Sequence, residues 1–141
     1  MQNSQNQDSL NYTSLEVKSI EPLSAWKELA ENKKSFLIDV RTKIELERDG
    51  APDLSSINKN IIHIPLDLES DQPILEFKKN LLWALDKSDT ILFLCRSGKR
   101  SHYCAEFCSD EYAFAYNVLG GFCGGDYFDW INSGLPWKLA K

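Results

Sequence analysis

The sequence predicts an α/β domain with a central, mainly parallel sheet of five strands and helices on both faces. Strand-like and helix-like segments alternate along the chain, which is the pattern of a parallel sheet covered by helices. Residues 36–40 and 91–95 are almost continuously apolar, as expected of strands buried on both faces. The chain has 141 residues, which is an ordinary length for one domain.

The first predicted elements are an edge strand and a helix. Residues 15–20 alternate apolar and charged side chains, which favours a strand at the edge of the sheet. Pro22 then opens a helical pattern, since proline is favoured in the first turn of a helix. We expect the apolar stripe of this helix to consist of Leu23, Trp26, Leu29 and Ala30.

A second strand and a short capped helix follow. The strand covers residues 36–40, and Thr42 and Glu45 have the spacing of a capping box at the start of the helix. Residues 50–60 are predicted to form a loop, because they contain glycine, proline and two serines. Residues 61–64 are predicted to form the next strand.

The second half of the chain continues the alternation. Helices are predicted over residues 74–85 and from Ser101 to about residue 110, and strands over residues 91–95 and 114–119. A last amphipathic helix is predicted over residues 126–132, with Tyr127, Phe128 and Ile131 on its apolar face. No internal repeat or second domain is evident.

Composition excludes several classes of protein. The net charge of −5 argues against a nucleic-acid-binding surface. No apolar stretch approaches the roughly 20 residues of a membrane span, so no membrane partner is expected. The four cysteines form no Cys-x-x-Cys pair and the chain has two histidines. We therefore predict no metal site and no cofactor.

Residues 1–14 are predicted to be a disordered tail, and residues 15–141 the folded domain. The tail is rich in glutamine, asparagine and serine and shows no apolar periodicity. It contains no lysine or arginine and no apolar core of a signal peptide. We therefore expect a cytoplasmic protein.

The segment from Cys95 to Ser101 has the composition of an anion-binding loop. Cys95 ends a buried strand, and a short loop with three cations, Arg96, Lys99 and Arg100, leads into a helix. A strand, a short loop and a helix N-terminus gather backbone N–H groups around an anion. Gly98 allows the loop to curl. These amides and cations favour a thiolate, which is the nucleophilic form of cysteine.

The other cysteines are interpreted differently. Cys104 and Cys108 lie at helical spacing beside Tyr103 and Phe107, which predicts that they pack in the core. Cys123 lies between two glycine pairs, and its role is left open.

Several motifs together resemble the rhodanese-type sulfurtransferases. Cys-Arg-Ser-Gly-Lys-Arg-Ser at 95–101 is similar to their active-site loop, in the form associated with thiosulfate sulfurtransferases. Asp-Val-Arg at 39–41, Asn-Val-Leu-Gly-Gly-Phe at 117–122 and Ser-Gly-Leu-Pro-Trp at 133–137 resemble other family segments in the correct order. The resemblance implies a single-domain rhodanese-like sulfurtransferase.

The resemblance also implies an activity and its partners. Cys95 takes a sulfane sulfur from a small anionic donor such as thiosulfate, holds it as a persulfide, and passes it to cyanide or a thiol. A protein that accepts the sulfur is a further partner that the resemblance implies. The region from Gly50 to Leu54 lacks the histidine and the second glycine that family members often carry there.

The loop residues receive separate roles in this interpretation. Backbone N–H groups of Arg96, Ser97, Gly98, Lys99, Arg100 and Ser101 surround the sulfur or an oxyanion. The three cations attract a dianionic donor, and the hydroxyls of Ser97 and Ser101 donate hydrogen bonds to the Cys95 sulfur. Asp39 and Arg41 support the site, since their strand ends at the same edge of the sheet, and Arg41 ties down a loop through an ion pair.

Three alternatives remain open at this point. Phosphatases also hold a cysteine in an anion-binding loop, but with five residues between cysteine and arginine, whereas four separate Cys95 from Arg100. A rhodanese-fold arsenate reductase is the second alternative. The third is a persulfide carrier or binding module that acts on a protein partner.

Overall fold

A parallel sheet of five strands forms the centre of the molecule. The computed structural model describes residues 17–125 and 128–139. The strands are β1 (Lys18–Ile20), β2 (Ser35–Asp39), β4 (Ile62–His63), β5 (Thr90–Leu94) and β6 (Phe114–Val118). Their order across the sheet is β1-β6-β5-β2-β4, and every neighbouring pair is parallel. The predicted α/β class and five-stranded sheet are confirmed.

Four α-helices, a short 3₁₀ helix (Ser55–Ile57) and a small second sheet complete the described fold. The helices are α1 (Pro22–Glu31), α2 (Lys43–Asp49), α3 (Pro73–Ala84) and α4 (Lys99–Cys108). The small sheet pairs β3 (Ala51–Pro52) with β7 (Trp137–Lys138) in antiparallel fashion, so the predicted loop over residues 50–60 contains a short strand. None of the described helices is long and apolar enough to cross a membrane.

Each face of the sheet is covered by its own buried cluster. Phe77 and Leu81 of α3 and Cys104 and Cys108 of α4 pack on one face, together with Phe93. The opposite cluster contains residues of α1, of the sheet and of the C-terminal segment: Ala25, Leu29, Leu92, Leu94, Val118, Phe122 and Trp130. Residues of β5 alternate between the two clusters, as the period of a strand requires.

The predicted edge strand is present, but the predicted face of α1 is partly wrong. Residues 18–20 pair only with β6 and form the sheet edge; residues 15 and 16 lie outside the described residues. In α1, Ala25 and Leu29 are buried, whereas Leu23 is 61% exposed and Ala30 is also exposed. The small side chain of Ala25 faces the sheet, and Leu23 in the first turn faces solvent.

The predicted last helix is wrong over its described residues, because residues 128–132 form turns. Tertiary hydrogen bonds take the place of helical ones: Trp130 N–H donates to the Gly121 carbonyl and Ile131 N–H to the Phe122 carbonyl. The Asp129 carboxylate accepts from Asn132 N–H, which is a local turn contact that competes with helix. Residues 126–127 and the predicted tail over 1–14 lie outside the described residues.

Candidate active site

The carboxyl ends of β2 and β5 bring two motifs together. Asp39 is the register partner of Leu94, and Val40 N–H donates to the Leu94 carbonyl at 2.9 Å. Cys95 follows Leu94 and Arg41 follows Val40, so both motifs leave the same edge of the sheet. This is the edge at which open α/β sheets bind ligands.

The loop after β5 curls around the sulfur of Cys95. Gly98 has a φ of 102°, a left-handed conformation that glycine adopts without strain. Its N–H donates to Cys95 Sγ at 3.1 Å, and Ser101 Oγ lies 3.2 Å from the same sulfur. Cys95 is 1% exposed. The sulfur therefore lies beside a backbone N–H and a hydroxyl, both of which can donate to a negatively charged sulfur.

Helix α4 begins two residues before the predicted start. It runs from Lys99, so Lys99 and Arg100 belong to its first turn. Gly98 is the N-cap residue, and no side chain caps this helix end. The positive end of the helix dipole therefore points toward the Cys95 loop and favours an anion there.

A glycine-rich segment holds the loop from the other side. Phe122 N–H donates to the Cys95 carbonyl at 2.8 Å, and the N–H groups of Cys123 and Gly124 donate to the Arg96 carbonyl at 3.1 and 2.9 Å. Gly121 has a φ of 68°, and a Cβ atom there would clash with the Arg96 carbonyl oxygen. The segment resembling the family at 117–122 therefore fixes the backbone at the start of the loop.

Two of the three loop cations lie against carboxylates of α2. Arg100 donates from both Nη atoms to the two Glu45 oxygens, each at 2.7 Å. Arg96 Nε lies 3.7 Å from Asp49, whose carboxylate also pairs with Arg48. Lys99 has no ion pair within residues 17–125 and 128–139. Glu45 and Asp49 thus offset the charge of two loop cations, and sequence analysis assigned neither of them to the site.

Glu45 also caps α2, as its spacing from Thr42 predicts. Glu45 N–H donates to Thr42 Oγ1, and the Glu45 carboxylate accepts from Thr42 N–H, which completes the capping box. The bond from Arg100 lowers the pKa of Glu45 from 4.5 to about 2. One carboxylate therefore joins the start of α2 to the start of α4.

We expect the Glu45 contact to make stability depend on pH. A carboxyl whose pKa is lowered on folding stabilises the fold above its unfolded pKa, and this contribution is lost as the pH falls toward the folded value. The unfolding free energy of the wild type should exceed that of Glu45→Gln most at neutral pH, and the gap should narrow between pH 4.5 and about 2. Urea titrations across this range measure the gap. Glu47→Gln on the exposed face of α2 is the control. If its unfolding free energy differed from that of the wild type by the same amount and with the same pH dependence, the effect could not be assigned to the contact between Glu45 and Arg100.

Asp39 and Arg41 form a fully buried ion pair beside the site. Arg41 Nη2 lies 2.7 Å from Asp39 Oδ2, and both side chains are 0% exposed. The same Nη2 donates to the Gly50 carbonyl at 3.0 Å. The guanidinium also stacks on Phe122, 4.4 Å from the ring centroid. Arg41 thus connects β2, the segment at Gly50 and the segment that holds the Cys95 loop.

Asn117 is a further residue of the site that sequence analysis missed as such. It lies on β6, is 3% exposed, and places Oδ1 2.5 Å from Ser101 Oγ. Its signal in the sequence is a polar residue near the end of an otherwise largely apolar strand. Ser97 makes no hydrogen bond to the Cys95 sulfur within the described residues, unlike Ser101.

The remaining cysteines are distinguished by their burial. Cys104 and Cys108 are fully buried, which confirms that they pack in the core. Burial raises the pKa of Cys108 to about 12 and also raises the pKa of Cys104, so neither thiol ionises readily. Cys123 is half-buried on the opposite face of the sheet from Cys95. Among the described residues, no group of three histidine, cysteine or acidic side chains has a metal-binding arrangement.

The parallel sheet with a cysteine loop at its carboxyl edge defines a rhodanese-like domain. The family model described as the STR4 middle domain matches residues 16–141. The chain therefore belongs to this family. The resemblance in the sequence and the architecture of the structure lead to the same class of protein.

Individual relatives and solved structures agree with this class. The chain is 37% identical over 127 residues to the uncharacterized protein RP600 of Rickettsia prowazekii, in a match that covers 87% of this chain and 98% of the relative. A protein named sulfurtransferase from Allochromatium vinosum is 26% identical and is covered over 94% of its length, against 85% of this chain.

Among solved structures, Rv0390 from M. tuberculosis superposes with a TM-score of 0.74 at 33% identity, over 88% of this chain and 98% of that chain. The polysulfide-sulfur transferase homodimer of Wolinella succinogenes superposes with a TM-score of 0.66 at 25% identity, over 89% and 80% of the two chains.

Proposed function

We propose that this protein is a thiosulfate-type sulfurtransferase that carries sulfur as a persulfide on Cys95. The observation that supports this most is the buried Cys95 sulfur, which accepts a hydrogen bond from Gly98 N–H and lies 3.2 Å from the Ser101 hydroxyl at the N-terminus of α4. These donors favour an anionic sulfur, both as the attacking thiolate and as the persulfide. The names of the Allochromatium and Wolinella proteins are consistent with sulfur transfer.

The proposed reaction has two displacement steps. The Cys95 thiolate attacks the sulfane sulfur of thiosulfate; a sulfur–sulfur bond to Cys95 forms, the bond within thiosulfate breaks, and sulfite leaves with the electron pair. Cyanide or a thiol then attacks the outer sulfur, and Cys95 leaves as a thiolate. With cyanide the product is thiocyanate, and no external oxidant or reductant is required.

The roles of the surrounding residues follow from their positions. Backbone N–H groups of residues 96–101 and the helix dipole stabilise the anionic sulfur. Lys99 is the cation best placed to attract a donor, because Glu45 binds Arg100 and Asp49 lies near Arg96. Arg100, Asp39 and Arg41 act mainly by holding the elements around the loop.

Turnover of thiosulfate and cyanide by the purified protein tests the proposal. We expect catalytic formation of thiocyanate, measured against a blank without protein and against the Cys95→Ser variant. Absence of turnover with thiosulfate and with an alkyl persulfide would contradict the proposed function.

Loop length is expected to exclude phosphatase activity. A phosphoryl group needs its three equatorial oxygens bound at once, which requires a wider ring of donors than one sulfur atom does. The wild type should therefore show negligible turnover of p-nitrophenyl phosphate. Insertion of one glycine between Gly98 and Lys99 keeps every charge but widens the ring, and should lower sulfur transfer at least about tenfold by misplacing donors. Phosphatase rates in the wild type comparable to its sulfur-transfer rates would contradict this explanation.

A further inference from the structure

The hydroxyl of Ser101 has one proton and two acceptors within reach. Its Oγ lies 3.2 Å from Cys95 Sγ and 2.5 Å from Asn117 Oδ1. A serine hydroxyl donates one hydrogen bond and accepts others through its lone pairs. Ser101 therefore cannot donate to both neighbours at once, and the partner that receives no proton must itself act as a donor.

The two protonation states of Cys95 require opposite directions for this proton. A thiol donates its S–H to Ser101 Oγ, and Ser101 then donates to Asn117 Oδ1. A thiolate or persulfide anion has no proton and accepts from Ser101 instead. Ser101 Oγ then needs a donor on the side of Asn117, and a half-turn of the amide supplies Nδ2 in place of Oδ1.

We propose that Asn117 is a positioning residue that acts through Ser101, turning its amide so that Ser101 donates to the Cys95 sulfur when that sulfur is an anion. This inference rests on the proposed function, in which the sulfur alternates between thiolate and persulfide. The proton balance is simple: ionisation releases the Cys95 proton to solvent, and Ser101 keeps its own proton but redirects it. No covalent bond changes at Asn117.

The surroundings of Asn117 allow the amide to turn. Within the described residues, Nδ2 has no hydrogen-bond partner, so the turn breaks no contact except the one with Ser101. Asn117 also lines a cavity of about 340 Å³ beside the loop, together with Gly98, Lys99 and Leu119. The Asn117 side chain therefore borders open space as well as Ser101.

Other charged and titratable groups lie on the loop, on α4 and on β2 around this sulfur, and the test must keep them constant. Arg100 and Cys104 of α4 are close enough to interact electrostatically with a Cys95 thiolate. Arg96 and Lys99 flank the sulfur along the loop, and His102 lies one turn into α4. On β2, the Asp39 carboxylate is paired with Arg41. Substitutions at Asn117 and Ser101 leave all these groups in place.

The test compares Asn117→Asp with Asn117→Leu, because the side chains of aspartate and leucine have nearly the same shape as that of asparagine. In Asn117→Asp the carboxylate accepts from Ser101 and cannot donate, so the thiolate loses a donor. The midpoint of the pH profile of Cys95 alkylation by iodoacetamide should rise by about one pH unit, the size expected for a hydrogen bond to a charged group. In Asn117→Leu, Ser101 is free to donate to the sulfur, and the midpoint should move by less than half as much.

The Ser101→Ala variant separates the two effects of Asn117→Asp, which are the changed hydrogen bond and the added negative charge. In Ser101→Ala the hydroxyl that links Asn117 to the sulfur is absent, so the effect of adding Asn117→Asp to that variant reports the charge alone. This effect should be less than half of the shift seen when Ser101 is present. Asn80→Asp on α3 is the distant control and should leave the midpoint unchanged. Thermal unfolding verifies that each variant is folded. If Asn117→Asp does not fold, a rise of the midpoint by about one pH unit in Asn117→Leu still overturns the proposal.

The outcomes are distinct from those for the proposed function. A shift in Asn117→Leu as large as that in Asn117→Asp, or a shift in Asn117→Asp that persists in full without the Ser101 hydroxyl, would overturn the role of Asn117. Alkylation of Cys95 does not depend on a sulfur donor, so these results remain interpretable even if no donor is turned over. Failure of the proposed function would instead appear as absence of transfer from every donor.

Discussion

Replacing Cys95 by serine should reduce sulfur transfer by more than about 10³-fold, because a hydroxyl neither forms a persulfide nor ionises at neutral pH. The substitution changes one atom at a buried position whose sulfur contacts are a backbone N–H and a hydroxyl. Serine can accept both of these hydrogen bonds. The loss should therefore be chemical rather than structural, with the melting temperature close to that of the wild type. Initial rates of thiocyanate formation measure the effect.

Cys108→Ser provides the matched control for this variant. Cys108 is equally buried but is the last residue of α4, at the opposite end of this helix from the Cys95 loop. Cys108→Ser should lower the unfolding free energy by about 1–3 kcal/mol, the cost of burying a hydroxyl that has no hydrogen-bond partner. Its rate of sulfur transfer per folded molecule should stay the same as that of the wild type. Residual activity above about a tenth of the wild type in Cys95→Ser would contradict covalent catalysis at this residue.

Removing Arg41 should cause the largest loss of stability, about 3–5 kcal/mol. Arg41→Met preserves much of the volume but leaves the Asp39 carboxylate buried without its partner. It also removes the bond to the Gly50 carbonyl and the stacking on Phe122. Chemical denaturation, monitored by tryptophan fluorescence, gives the change in unfolding free energy.

Two comparisons make this prediction specific. Asp39→Asn combined with Arg41→Met removes the unpaired charge and should recover part of the loss. Arg48→Met breaks the exposed pair with Asp49 and should cost less than about 1 kcal/mol. If Arg41→Met cost no more than Arg48→Met, the buried pair would not be an anchor of the site.

The sheet could be predicted from the sequence because the burial of its central strands requires apolar residues in succession. Strands β2 and β5 are covered on both faces, so their residues form apolar runs that no surface helix would show. The capping box could also be predicted from the sequence, because its two partners, Thr42 and Glu45, lie within one helical turn of each other. Local signals of this kind need no knowledge of the tertiary structure.

The C-terminal turn could not be predicted in the same way. The apolar spacing of residues 127–131 is helical, but the N–H groups of Trp130 and Ile131 bond to carbonyls of Gly121 and Phe122. Those acceptors belong to the glycine-rich segment that packs against the Cys95 loop, several residues away in the sequence. Tertiary context therefore overrides the local periodicity.

The contacts between side chains of the site could not be predicted from the sequence either, because the partners are far apart along the chain. Arg100 and Glu45 are 55 positions apart, and Ser101 and Asn117 are 16 apart. The sequence showed three cations in the loop but not that α2 places carboxylates against two of them. It showed a serine able to contact the sulfur but not the amide that competes for its proton.

The position of the transferred sulfur after reaction with a donor tests persulfide formation at Cys95 most directly. The protein is incubated with thiosulfate, freed of excess donor, capped with an alkylating agent, and digested for mass spectrometry. We expect one added sulfur atom on the peptide that contains Cys95, and its removal by cyanide as thiocyanate. Absence of added sulfur on Cys95, or sulfur carried instead on Cys123, would contradict persulfide formation at Cys95.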